Sequence, residues 1–101
     1  MIKIEIIGTN NSFESLVIKG HANSAPYGED LVCAAVSAVI TGGFNSLFNP
    51  KNFDIRLDEG HAYLKAKGPI SEEDKIVIHT IITSLKTIAS GNEAFVKIKN
   101  I

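Results

Sequence analysis

The stretch IKIEIIGTNNSFESLVIK, residues 2–19, carries the pattern on which the fold turns. Ile2, Ile4 and Ile6 alternate with Lys3 and Glu5, which is the period of a strand with one buried and one solvated face. Thr9-Asn10-Asn11-Ser12 supplies turn chemistry, and Phe13 to Lys19 resumes a β-prone run with Leu16 and Ile18 in alternation. Two such runs across a short polar connection predict an antiparallel hairpin. The pattern returns at Phe53–Leu57 and His61–Lys67, separated by Asp58-Glu59-Gly60, so a second hairpin is expected.

A helical pattern follows each hairpin. Asp30 is a good N-cap for a helix over about Leu31–Phe48, with Pro50 just beyond it. Val32, Val36, Val39, Ile40 and Leu47 form its most apolar stripe, and Gly42-Gly43 reads as a packing or bending feature. Ser71 caps a second helix, with Asp74 at the capping-box position, acidic residues in the first turn and Gly91 at the end. On that helix Val77, Ile78, Ile81, Leu85, Ile88 and Ala89 share one face, while Lys75, His79, Thr83 and Lys86 share another. Ala94–Lys99 is a last strand. The order strand-strand-helix-strand-strand-helix-strand predicts a single two-layer α+β domain over residues 1–101, with helices packed on a mostly antiparallel sheet.

The totals narrow the function. One domain of 101 residues with 45% hydrophobic and 21% charged residues is ordinary globular composition. A formal net charge of −1 gives no overall positive field, so no direct nucleic-acid binding is expected. The uncharged run Leu31–Pro50 is interrupted by Thr41, Gly42, Gly43, Asn45, Ser46 and Asn49, which argues for a core helix and against a membrane span. A single cysteine cannot form an internal disulfide, and no signal-peptide pattern precedes the first strand, so a cytoplasmic protein is expected. No His, Cys, Asp and Glu cluster has metal-ligand spacing, and neither a metal nor a cofactor is expected.

That cysteine, Cys33, falls in the first turn of the first helix, where free backbone N–H groups and the helix dipole favour a thiolate. His21 leaves the second strand twelve positions earlier, and a connecting loop of this length lets its ring act as base to the thiol. Read alone, Cys33 also fits a small buried hydrophobe, and His21 a satisfied strand-end residue. Asp30 fits a structural cap or a supporting carboxylate. Gly20, Ala22, Asn23, Ser24, Ala25, Pro26, Tyr27 and Gly28 form a candidate substrate loop, a flap with possible hinges at Gly20 and Gly28. Ser37, one turn after Cys33, fits a helix-surface residue or a supporting one, His61 a strand residue with a polar tip, and His79 a solvated helix position.

The segment GHANSAPYGEDLVCAAVSAV, Gly20–Val39, resembles the signature of the ribosomal-processing cysteine protease family, Prp: a Gly-His-Ala segment, a Tyr-Gly loop, then an Asp-Leu-Val-Cys-Ala-Ala-Val-Ser helix start. The resemblance implies His21 as general base, Cys33 as nucleophile and Asp30 as the acidic position beside them. It further implies a homodimeric endopeptidase that removes a short N-terminal extension from a bacterial large-subunit ribosomal protein, cutting after an aromatic pair. Two other readings use the same residues: a noncatalytic ribosome- or peptide-binding module with a structural cysteine, and a thiol redox sensor lacking a resolving cysteine.

Overall fold

The computed structural model describes residues 1–8, 11–22 and 30–101. The elements are β1 (Ile2–Ile7), β2 (Ser15–Gly20), α1 (Leu31–Asn45), a 3-10 turn (Pro50–Asn52), β3 (Phe53–Asp58), β4 (His61–Ala66), α2 (Glu72–Gly91) and β5 (Val96–Asn100). They form a five-stranded sheet in the order β3-β4-β2-β1-β5. Every neighbouring pair is antiparallel except β1 with β5. The expected two-layer, mostly antiparallel α+β architecture is the one observed.

The alternation in the sequence becomes the two faces of this sheet. Ile2, Ile4, Ile6, Leu16, Ile18, Ala62, Leu64 and Val96 are buried on the side that meets the helices. Cross-strand register stacks them in rows, Ile4 opposite both Ile18 and Ile98, and Leu16 opposite Leu64. From above come Val32, Val36, Ile40 and Phe44 of α1 and Ile78, Ile81, Ile82 and Leu85 of α2, closing one hydrophobic cluster. Each fully buried side chain such as Leu16, Leu64 or Leu85 contributes roughly 1.5–3 kcal/mol relative to exposure.

The helices differ in detail from expectation. α1 ends at Asn45, where the Ser46 N–H turns back to the Gly43 carbonyl and the Leu47 N–H to that of Phe44, so Leu47 and Phe48 lie beyond it. Gly43 has a packing role, because a Cβ there would stand 2.4 Å from Cγ1 of Ile81, whereas Gly42 faces open space. Ser71 caps α2 by accepting the Asp74 N–H. The Asp74 carboxylate does not close a capping box. It is wholly buried and accepts the backbone N–H groups of Phe48 (2.8 Å) and Asn49 (3.1 Å), with the Asn49 amide at 3.2 Å. A carboxylate buried beside three donors is better satisfied than one folded back on its own cap, and it ties the end of α1 to the start of α2.

Candidate active site

β2 and the β3–β4 turn meet where the candidate histidine leaves the sheet. Gly20, the last residue of β2, has φ +96 and donates its N–H to the Gly60 carbonyl at 3.0 Å. A side chain at Gly20 would run into the Met1 carbonyl, 2.3 Å from a built Cβ, so this tight corner requires glycine. The carbonyl of His21, the next residue, accepts a hydrogen bond from the Met1 amino group. The exposed imidazole lies against the bare backbone of Gly60: a Cβ there would be 2.8 Å from Nε2 and 3.3 Å from Cε1.

Asp30 starts α1 in extended conformation, and its Oδ1 accepts the Cys33 N–H at 3.0 Å. The cap therefore occupies the backbone donor nearest the thiol, leaving only earlier N–H groups of that turn available to an oxyanion. Cys33 is a free, half-buried cysteine whose Sγ accepts the Ala22 N–H at 3.1 Å. Ala22 is thus a fixed, buried core residue next to the histidine, not an open loop position, and its amide is a donor aimed at the sulfur.

His21 and Cys33 line one cavity of about 150 Å³. Its apolar walls are Ile2, Ile18, Val36, Ile40 and Ala62, and Ser37, Asp58, Glu59 and His61 also border it. Within it, the imidazole and the thiol are not hydrogen-bonded to each other. Asn23, Ser24, Ala25, Pro26, Tyr27 and Gly28, the rest of the candidate substrate loop, lie outside the described residues. Gly20 belongs to the sheet, held by its pairing with Ile2 and by the Gly60 carbonyl. His79 is exposed on α2, away from the cavity-lining residues.

Two features of the site lay beyond a reading of spacing. One is the Ala22 N–H held against the sulfur. The other is Gly60, read as an ordinary turn residue, which seats the imidazole; a Gly immediately before a histidine at a hairpin tip was the available signal. Among the described residues no group of three His, Cys, Asp or Glu side chains is placed to hold a metal ion. Among them, too, no helix is long and apolar enough to cross a membrane.

Residues 1–97 match the family model described as cysteine protease Prp. The chain is 30% identical over 93 residues to the ribosomal processing cysteine protease Prp of Staphylococcus aureus, covering 87% of this chain and 88% of that one. It is 37% identical over 82 residues to the corresponding Bacillus subtilis protein, covering 73% of each. Its fold matches the crystal structure of an S. aureus ribosomal processing protease Prp with a covalently linked product peptide, at a TM-score of 0.88, 26% identity and full coverage of both chains. A second S. aureus Prp structure, in complex with a substrate peptide, matches at a TM-score of 0.82 and 25% identity, again over both whole chains.

Proposed function

Because the chain belongs to the Prp cysteine protease family, we propose that it removes a short N-terminal extension from a bacterial large-subunit ribosomal protein, with Cys33 as nucleophile and His21 as base. The observation that carries this reading is the thiol at the start of α1, receiving the Ala22 N–H inside a cavity that His21 also lines.

The chemistry follows from those atoms. As substrate engages, the imidazole comes within hydrogen-bonding reach of Sγ and takes the thiol proton. Sγ attacks the carbonyl carbon of the scissile peptide bond, and the resulting oxyanion faces backbone donors of the α1 first turn. The C–N bond breaks as the imidazolium returns its proton to the departing amine, leaving a thioester. Water, deprotonated by His21, then attacks the thioester carbonyl, releasing the extension as its carboxylic acid while the thiolate regains a proton from the imidazolium. The Ala22 N–H stabilises negative charge on sulfur, and Asp30 holds the helix start that aims Cys33. The covalently linked product peptide in the S. aureus relative agrees with a covalent route. Apolar cavity walls suit an apolar recognition sequence, here one cut after an aromatic pair.

The homodimer belongs to the same proposal. α1 carries no charged residue along its whole length, and Leu31 (79% exposed), Phe48 (69%), Ile55 and Leu57 leave large apolar side chains open to a second copy. A cytoplasmic location keeps the lone thiol reduced and active. The test is incubation with large-subunit ribosomal proteins bearing their N-terminal extensions, followed by mass spectrometry of new N-termini. One new terminus, dependent on Cys33, is expected; no new terminus with any of them overturns the proposal.

A further inference from the structure

The sheet has a second face, opposite the helices, that no element covers among the described residues. Alternation and register place Lys19, Lys3 and Lys97 in one row across β2, β1 and β5. The next row runs Tyr63, Val17, Glu5 and Lys99, and Lys65 follows on β4. Half of the ten basic residues thus stand on four strands that expose a single carboxylate on this face, Glu5, in a chain whose net charge is −1. The remaining acids of the face lie on the β3 edge, where Asp58 is paired with Arg56 and Asp54 with Lys67.

None of Lys3, Lys19, Lys97 and Lys99 has an ion-pair partner among the described residues. Like charges directly opposite one another in a sheet destabilise it, so folding gives no reason for this row. The lysines instead border a shallow groove of about 430 Å³, with Val17 in its floor. Beside it stands the partly exposed ring of Tyr63, with Lys65 Nζ 4.4 Å from its centroid. His61, next along β4, is held below its ordinary pKa by partial desolvation first and then by the Arg56, Lys19 and Lys65 cations, against the pull of Asp58.

We infer that this uncovered sheet face is a docking surface for single-stranded RNA, with phosphates over the Lys19–Lys3–Lys97 row and Lys99, and a base on Tyr63. Lysines in a track beside an aromatic ring are the chemistry that binds a single strand without reading its sequence. The choice of RNA among polyanions rests on the proposed substrate, since a ribosomal protein is met beside RNA. Net charge pointed away from nucleic acid because it sums over every face, while five of the ten basic residues gather on this one. None of Lys3, Lys19, Lys97, Lys99 and Tyr63, the residues that would hold the strand, lines the active-site cavity.

The test uses the whole chain and a fluorescein-labelled oligouridylate of twelve nucleotides, read by anisotropy, with cleavage of a peptide substrate measured in parallel. Four phosphate contacts predict that affinity falls about 50-fold between about 50 and 200 mM salt, from a slope of roughly −0.7 per phosphate. The triple variant Lys3→Gln, Lys97→Gln, Lys99→Gln lowers the slope by about 2 and weakens binding at least about tenfold, while peptide cleavage stays at the parental rate. Tyr63→Leu weakens binding about fivefold or more. Undetectable binding at low salt, full binding by the triple variant, or tighter binding to polyglutamate or to phosphatidylserine vesicles than to RNA overturns the inference. A parent that binds RNA but cuts no substrate upholds this inference and overturns the proposed function; one that cuts and does not bind RNA does the reverse.

Discussion

Placing a single methyl group at Gly60 tests whether the seat of His21 matters to catalysis. Gly60 has φ +74, and an L-residue held there costs roughly 1–2 kcal/mol of stability. The same methyl carbon would lie 2.8 Å from His21 Nε2, where non-bonded heavy atoms prefer about 3.5–4.0 Å, so the ring must retreat by roughly 0.7–1.2 Å. A displacement of that size in a catalytic base lowers the rate by about 100-fold, or about 2.7 kcal/mol in the barrier. Gly60→Ala is therefore expected to lose about two decades in kcat/KM on a fluorogenic peptide, with the stability change read separately by urea unfolding. Gly60→Asn separates the two effects: asparagine tolerates the left-handed backbone better, so it unfolds less readily, yet it carries the same Cβ and should lose as much activity. If Gly60→Ala keeps kcat/KM within threefold of the parent while showing the expected destabilisation, the orientation of His21 over this turn is not the one catalysis uses.

Three other perturbations probe the frame. Asp74→Ala strands the N–H groups of Phe48 and Asn49 and should cost about 3–5 kcal/mol by chemical denaturation; a change under about 1 kcal/mol contradicts the bridging role. Gly42→Ala should stabilise α1 by about 0.5–1 kcal/mol, since nothing lies near its Cβ, whereas Gly43→Ala meets Ile81 and should lose about 1–3 kcal/mol to overpacking, less the same helix gain. Equal effects from the two glycines would refute the packing assignment. As pH drops from about 7 through the ordinary value of 6.5, the unfolded chain takes up the His61 proton before the folded one does, so stability falls with falling pH. His61→Gln should flatten the pH dependence of the thermal midpoint over this window, and superimposable profiles for parent and variant would rule the effect out.

Local rules reached most of the frame. Strict alternation in Ile2–Ile6 and in His61–Ala66 marked strands because each buries one face and wets the other, and Asp30 and Ser71 marked helix starts because their side chains accept the third backbone N–H of the turn. What escaped depended on contacts between distant segments. The parallel β1–β5 pairing brings together residues more than ninety positions apart, and no turn signal specifies it. Asp74 sat at a capping-box position, yet Phe48 and Asn49 offered stronger donors from 26 and 25 residues away. The end of α1 fell three residues early because Leu47, though apolar and buried, packs from beyond the helix. For the candidate site, the dipeptide Gly20-His21 and the helix start at Cys33 were legible. The Ala22 amide on the sulfur and the Gly60 seat were not, since both arise only when β2, α1 and the β3–β4 turn converge. The lysine row was hidden for the same reason: a sum over the chain carries no information about faces.

The central claim, a thiol and an imidazole working as one catalytic unit, is tested most directly by comparing kcat/KM on an authenticated ribosomal-protein extension peptide for the parent, Cys33→Ala, His21→Ala and the double variant. Groups that act as a unit are strongly non-additive, so each single variant should fall by about 10³-fold or more and the double variant should be no slower than either. Retention of even a tenth of the parental rate by Cys33→Ala, with its fold intact and contaminating protease excluded, contradicts the account.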